Sequence, residues 1–250
     1  MAEHHLPGDP PVPLTLRRSP RARRLSLRIS ALDGRVTLTL PKSLPEREAL
    51  DFAAEKEDWI RSHLAKHPES LVVQTGTYLP IDGAERCVVA ASGKRVWMHD
   101  NEIEVPGDRP GRVLQRFLRE LARDRLAAAS DHYAAALGRS YSRITLRDTR
   151  SRWGSCTSDG GLMYSWRLIL APPEVLRYVA AHEVAHLAEM NHSPAFWQQV
   201  EHLYGDYQGP RKWLKQQGGG LHRFGLTSSH KSAELWSTAV DEACVCDHID

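Results

Sequence analysis

The chain has 250 residues, of which 41% are hydrophobic and 26% are charged, and its formal net charge at pH 7 is +2. This length is enough to bury a sizeable core, and the composition is ordinary for a globular protein. No apolar run approaches the roughly 20 residues that cross a bilayer, and the N-terminus lacks the hydrophobic stretch of a secretion signal. The four cysteines are too scattered for a disulfide framework. We therefore expect a cytoplasmic protein that has no membrane partner.

The N-terminal part of the chain predicts β-structure. Residues 1–12 are rich in proline and glycine, and we expect them to be disordered. From Arg24 to Leu40, apolar and polar residues alternate on either side of Asp33-Gly34. Alternation interrupted by Asp-Gly is typical of a β-hairpin, because glycine tolerates the positive φ that the turn needs.

A helix is predicted after this hairpin. Ser43 is followed three residues later by Glu46, which is the spacing of a capping box. We expect the helix to continue to about His67, with Trp59, Ile60 and Leu64 on its buried face.

Short β-runs within residues 77–105 are separated by Asp-Gly, Ser-Gly and Asp-Asn pairs and predict a meander. The composition shifts around residues 106–111. We place a boundary there, between a β-rich region with one long helix, residues 13–107, and a second domain, residues 108–217. The last segment, residues 218–250, has no periodicity and is expected to be a flexible tail.

The second domain is predicted to mix helices with short strands. Its first helix ends at the glycine cap Gly138, and two β-runs follow, Ser142–Arg147 and Leu162–Leu170. Further along, Ser193 and Pro194 have the residue types of the N-cap and first position of another helix.

The helix between these elements begins at Pro172-Pro173, is expected to end at Asn191, and carries an H-E-x-x-H motif. His182 and His186 are one turn apart on the same face, so one divalent ion can contact both imidazoles. Two neutral imidazoles leave zinc with most of its charge, which lowers the pKa of its water towards about 7, and Glu183 is placed to accept the proton. Without a metal, burying these three polar side chains in an apolar helix would cost several kcal/mol.

A tetrahedral catalytic zinc needs a third protein ligand and an open fourth position. His192 is the leading candidate, because it lies just past the expected helix end, where a turn can bring its imidazole back over the helix face. Glu189 and Glu201 are the alternative third ligands. The spacing from His182 to His192 equals that of the metzincin motif, but a glutamate replaces its glycine and no methionine follows His192. The chain is therefore not a metzincin.

Four motifs in this order resemble the YgjP-like metallopeptidase family. They are S-R-W-G-S-C from Ser151, W-R-L-I from Trp166, the H-E-x-x-H motif, and N-H-S-x-x-F-W from Asn191. The arginine-rich segment before residue 41 and the E-K-E-D-W-I segment also resemble the family, so the resemblance covers residues 12–217.

The resemblance implies an α+β fold, in which an active-site helix lies under a small antiparallel sheet of a zincin-like domain, after the β-rich N-terminal region. It also implies zinc on His182, His186 and His192, with Glu183 as the general base. Ser165 stands where many relatives have asparagine.

The strand predicted at Leu162–Leu170 suits an extended substrate, because an edge strand above a zincin metal pairs with a peptide main chain to main chain. Peptide or protein substrates are therefore favoured. Arg152, Trp153 and Ser155 are candidates to line the cleft or stabilise an oxyanion, and Trp166 is a further candidate for the cleft. The alternative is that Trp153 belongs to the core and Arg152 covers it.

Four of the remaining cysteines and histidines need an interpretation. Cys156 is expected to be a buried structural thiol. Cys244, Cys246 and His248 offer groups for a second metal, although a C-x-C pair in a tail is not specific for one.

The densest cluster of charge is a group of arginines between residues 17 and 28, which could contact a polyanionic or acidic partner. We expect a plain solvated face, because Arg24 and Arg28 alternate with apolar residues on a strand, and nucleic acid is the alternative partner. The cluster consists of Arg17, Arg18, Arg21, Arg23, Arg24 and Arg28.

Taken together, the sequence predicts a zinc-dependent hydrolase, and first of all a metallopeptidase with a metal-activated water and Glu183 as general base. One alternative keeps the metal and hydrolyses nucleotides or other phosphate anhydrides, with Arg152 holding phosphate. The other is a zinc-containing nucleic-acid- or protein-binding module without catalysis, which predicts a closed four-ligand zinc.

Overall fold

The computed structural model describes residues 4–30, 34–65, 71–107 and 110–226, and helices and strands are mixed there in an α+β fold. The chain divides into two compact units, Met1–Ser70 and Leu71–Asp250. The boundary predicted near residue 107 falls inside the second unit, because the elements on its two sides share one core.

The first unit is a four-stranded sheet with two helices packed on one face. The strand order is β1-β2-β4-β3, with β2 and β4 parallel and the other pairs antiparallel. Alternate strand residues point to the helices and form the core, which contains Leu14, Val36 and Leu38. The elements are β1 His4–Leu6, β2 Val12–Arg18, β3 Ser26–Ile29, β4 Val36–Leu40, α1 Glu46–Glu55 and α2 Glu57–Leu64.

Regular structure in this unit begins earlier than predicted. Strand β1 lies within the segment expected to be disordered, where it pairs with β2 and buries Leu6 in the core. The predicted hairpin is confirmed as the antiparallel pair of β3 and β4, and Gly34 has the positive φ of 65°. Its partner in the predicted turn, Asp33, lies outside the described residues.

The predicted single helix is wrong in detail. It is divided at Lys56 into α1 and α2, and Pro45 is the N-cap without any side-chain cap. The capping box does not form, because the residue before a proline is disfavoured in the helix, which leaves Ser43 outside the first turn. The prediction for Trp59 is wrong, since it is 43% exposed, whereas Ile60 is buried and Leu64 packs against the core, as predicted.

The second unit packs the 28-residue helix α3 against α4 around one core. No helix of the described residues is long and apolar enough to span a membrane. The strands are β5 Leu71–Val72, β6 Tyr78–Ile81, β7 Ala84–Ala91, β8 Trp97–Met98, β9 Glu102–Pro106, β10 Arg143–Arg147, β11 Gly154–Cys156, β12 Gly161–Ser165 and β13 Phe224–Gly225. The α-helices are α3 Pro110–Leu137, α4 Pro173–Ala185, α5 Pro194–Tyr204 and α6 Gln208–Gln217.

The β-runs of residues 77–105 form a sheet, but not the meander that was predicted. The strand order is β6-β7-β9-β8, and β7 and β9 run parallel. Strand β8 precedes β9 in the sequence but lies at the edge of the sheet, and β9 lies between β7 and β8. Short β-runs predict strands but do not specify the order in which they pair.

The sheet nearest the motif helix is β10-β12-β11, with β10 parallel and β11 antiparallel to β12. It is therefore mixed rather than purely antiparallel. The predicted strand Leu162–Leu170 ends at Ser165, and a 3-10 helix follows at Trp166–Leu170, all of whose residues are buried. A continuous apolar run fits a buried strand and a buried helical turn equally well, so its pattern alone did not separate them.

Residues 218–226 are ordered, although the sequence predicted a flexible tail from residue 218. A 3-10 helix at Gly218–Arg223 leads into β13, which pairs with β5. The guanidinium of Arg167 donates to the carbonyls of Leu221 and Phe224 and forms a bidentate ion pair with Asp148. The rest of the predicted tail lies outside the described residues.

Candidate metal centre and active site

Three imidazoles converge at the C-terminal end of α4. One ring nitrogen from each of His182, His186 and His192 lies within 4.8 Å of the other two. The Nε2 atoms of His182 and His192 are 3.2 Å apart. Helix α4 ends at Ala185 rather than at Asn191, and this early end lets the following turn bring His192 back beside the other two rings.

The local sequence explains how this turn is fixed. The Asn191 Oδ1 accepts from the Ser193 N–H, and the Ser193 Oγ accepts from the Phe196 N–H, so Ser193 is the N-cap of α5 as predicted. His186 contacts the turn as well, because its Nδ1 lies 2.9 Å from the carbonyl oxygen of Glu189. That contact leaves Nε2 of His186 as the nitrogen for a ligand.

An aromatic wall supports the three imidazoles from one side. The Phe196 ring centroid is 4.9, 4.3 and 4.8 Å from those of His182, His186 and His192. Trp197 stacks on His192, and the guanidinium of Arg211 lies 4.6 Å from the Trp197 ring. The rings therefore have little freedom to turn away from one another.

Burial keeps all three imidazoles in the neutral form that ligates metals. It lowers the pKa of His182 well below the usual value, and it lowers the pKa of His186 to about 4. Burial also lowers the pKa of His192, and the charge of Arg211 adds to this effect. Three neutral imidazoles with converging nitrogens fit a divalent first-row ion with one open position.

Glu183 is fully enclosed next to the histidines. It is 1% exposed, and its Oε2 has no hydrogen-bond partner among the described residues. Burial raises the pKa of this carboxyl to about 8, and the charge of Arg152 opposes the rise. A cation held by the histidines would act in the same direction as Arg152 and lower the pKa of Glu183. The carboxyl can then take up and release a proton near neutral pH.

Gly154 gives the Glu183 side chain its space. A Cβ added at Gly154 would lie 2.6 Å from Cγ of Glu183 and would also collide with its Oε1. Any larger residue at this position therefore displaces the carboxyl. The S-R-W-G-S-C motif contained this glycine, but the sequence analysis attached no role to it.

The other predicted substrate residues differ in their placement. Arg152 and Trp153 are half-buried, and Trp153 packs against Gly218 and lies 5.5 Å from the His222 ring. Ser155 is 5% exposed. Trp166 is fully buried beneath the guanidinium of Arg167, and its role in a cleft stays a prediction.

The alternative ligands of the sequence analysis do not join the cluster. Within residues 4–30, 34–65, 71–107 and 110–226, the group that contains the three histidines includes neither Glu189 nor Glu201. Cys156 is buried, as predicted. The proposed second site of Cys244, Cys246 and His248 lies outside the described residues.

Comparison with known proteins defines the class as metallopeptidase. The model of the family described as "YgjP-like, metallopeptidase domain" matches residues 23–217. The chain therefore belongs to the YgjP-like family, which confirms the resemblance of its motifs and implies a metal-dependent hydrolase. No curated protein matches the chain.

One solved structure is similar, that of the metallopeptidase zymogen of Pyrococcus abyssi abylysin. It is 21% identical in sequence, and the match covers 37% of this chain and 95% of that chain, with a TM-score of 0.33. A TM-score this low does not indicate a shared fold, so nothing about this chain follows from the match.

Proposed function

We propose that the protein is a zinc metallopeptidase in which His182, His186 and His192 hold the ion. The observation that carries this proposal is the convergence of three neutral imidazoles, those of His182 and His186 buried and that of His192 half-buried, beside a buried carboxyl. When bound there, zinc would polarise the scissile carbonyl and lower the pKa of a water molecule.

Glu183 is the general base in this proposal. Its carboxylate accepts a proton from the attacking water and later gives that proton to the leaving amine. A pKa raised by burial and lowered again by neighbouring positive charge suits a group that must do both. Gly154 supports this role, because it lets the carboxyl stay in its place.

A peptide substrate is best received at β11. In the three-stranded sheet, β12 is central and has no free edge, whereas β11 is an edge strand next to α4. An extended peptide adds to an edge strand through main-chain hydrogen bonds. Arg152 and Trp153 lead into β11 and are half-buried, so we place the entry of the substrate at these two residues.

The two alternative functions have less support. A zinc kept only for folding is expected to have four protein ligands, and the described residues bring three side chains together. Hydrolysis of phosphate anhydrides would use the charges of Arg152 and Arg211 near the metal, but membership of a metallopeptidase family favours peptide bonds instead.

The test is Glu183→Gln in the zinc-loaded protein, assayed on a peptide library. We expect one zinc per chain to be retained and hydrolysis to fall at least about 100-fold, because the proton acceptor is lost while the imidazoles are untouched. Glu189→Gln is the matched control and is expected to keep both zinc and activity. Undiminished hydrolysis by Glu183→Gln would refute the role of Glu183, and loss of zinc from Glu189→Gln would refute the ligand set.

A further inference from the structure

On one face of the first unit's sheet, most side chains of β2, β4 and β3 end in a hydroxyl or a guanidinium group, and Pro13 with His5 of the edge strand β1 completes that face. The strand register places Arg17, Thr39 and Ser26 in one row across β2, β4 and β3. Successive strand residues alternate between faces, so this face is opposite to the one that packs on α1 and α2. We call it the basic face, and it consists of Thr15, Arg17, Ser26, Arg28, Thr37 and Thr39.

A loop extends the basic face at one end. The segment between β2 and β3 leaves the sheet at the row of Arg17, and its Arg21, Arg23 and Arg24 are exposed. Together with Arg17 and Arg28 they make five arginines, none of which has a carboxylate partner among the described residues. No aspartate or glutamate occurs from residue 10 to residue 32.

Arg18, in the same segment, differs from these five arginines because its guanidinium is bound within the unit. Its guanidinium donates to the carbonyls of Lys42 and Leu44 and lies 3.6 Å from the carboxylate of Glu46. The five arginines of the basic face and loop have no such contacts with the part of the chain that the structure describes. Their charges are therefore available to a partner.

The first unit also separates its charges. Apart from Asp9 in the loop between β1 and β2, the carboxylates of the described residues in this unit are on α1 and α2, which pack on the opposite face of the sheet from the basic face. Like charges that are gathered on one face repel one another, and among residues 4–30 and 34–65 no carboxylate on that face offsets the repulsion. An anionic partner on the basic face removes this cost. The helical carboxylates are those of Glu46, Glu48, Asp51, Glu55, Glu57 and Asp58.

We propose that the basic face and its loop bind the phosphate backbone of duplex nucleic acid without reading its sequence. Arginines and the hydroxyls of serine and threonine are the side chains that contact phosphate oxygens. On this side of the sheet the described residues offer one ring, the imidazole of His5 on the edge strand β1, and a single ring is not the row of stacking platforms on which single strands bind. A duplex offers one phosphate per 3.4 Å along each strand, which is dense enough to engage arginines on neighbouring strands and on the loop.

The test measures binding of the full-length, zinc-loaded protein to a fluorescent DNA duplex of arbitrary sequence between 50 and 200 mM salt. If all five arginines contact phosphates, the plot of log affinity against log salt has a slope of about −4.5, and the affinity falls about 500-fold over this range. A duplex of different sequence is expected to bind equally well, because no base edge is contacted.

Two variants test the arginines of the strands and those of the loop separately. Arg17→Gln with Arg28→Gln is expected to reduce the magnitude of the slope by about two, and glutamine at Arg21, Arg23 and Arg24 by about three. Arg47→Gln is the matched control, since Arg47 is an exposed arginine of α1 on the other side of the sheet, and it is expected to bind duplex like the wild type.

Three results would overturn the proposal: no binding at 50 mM salt, equal losses in the control and the two variants, or competition by poly-glutamate as strong as that by duplex. The last result would assign the surface to an acidic polypeptide instead. Zinc content and peptide hydrolysis are expected to be unchanged in all variants, so this surface and the proposed peptidase function are tested separately.

Discussion

At the scale of single residues, the candidate site depends on a pair far apart in the sequence, Gly154 and Glu183. The glycine has no functional group, yet the carboxyl occupies the space where a Cβ would be. A site of this kind needs its base held in one place, because a small displacement of a catalytic group is costly.

Gly154→Ala is therefore expected to lower peptide hydrolysis by about tenfold or more while zinc content stays at the wild-type level. The comparison is Gly209→Ala, because a Cβ at Gly209 meets nothing within 4 Å. Steady-state kinetics and metal analysis on both variants check this. Normal turnover by Gly154→Ala would show that the carboxyl can move without consequence.

At the scale of secondary structure, the position of His192 follows from the end of α4 and the beginning of α5. Two hydrogen bonds made by the side chains of Asn191 and Ser193 hold the turn between the helices. The order of this turn and the convergence of the three imidazoles are thus coupled, and loss of the cap is expected to weaken both.

Ser193→Ala removes the N-cap of α5, which typically costs about 1 kcal/mol of stability. We expect this loss in urea unfolding of the metal-free protein and a roughly fivefold weaker zinc affinity, because part of the binding energy then orders the turn. Ser193→Thr keeps a hydroxyl that can cap and is expected to behave like the wild type. Equal zinc affinity in the alanine and threonine variants would show that the order of the turn and zinc binding are not coupled.

Elements with local signals were predicted well from the sequence. The proline start of α4, the glycine after α3 and the Ser193 cap are all confirmed, because each is specified by residues within one turn. The early end of α4 and the 3-10 helix Trp166–Leu170 were missed. Both depend on packing in the core, which a local apolar pattern does not specify.

The same distinction applies to the site. The one-turn spacing predicted that His182 and His186 face the same way, and the motif after α4 indicated His192. The roles of Gly154 and Phe196 were not predicted, because Gly154 acts through a residue 29 positions away and the role of Phe196 depends on how α5 packs on α4.

At the scale of the whole molecule, chemistry and charge are assigned to different units. The second unit contains the histidines, Glu183 and the sheet that we propose receives a peptide, whereas the first contains the basic face. The net charge of +2 conceals this separation, since the composition of the chain averages over the two units. Position in the fold, rather than total charge, led to both proposals.

The most direct test of the metal centre is a crystal structure of the zinc-loaded wild-type protein, with diffraction data collected on both sides of the zinc absorption edge. We predict one anomalous peak in the second unit, about 2.0–2.1 Å from a nitrogen of each of His182, His186 and His192, with the fourth position open. A peak that lacks one of these histidines, or that has a fourth protein side chain as ligand, would contradict the proposed catalytic centre.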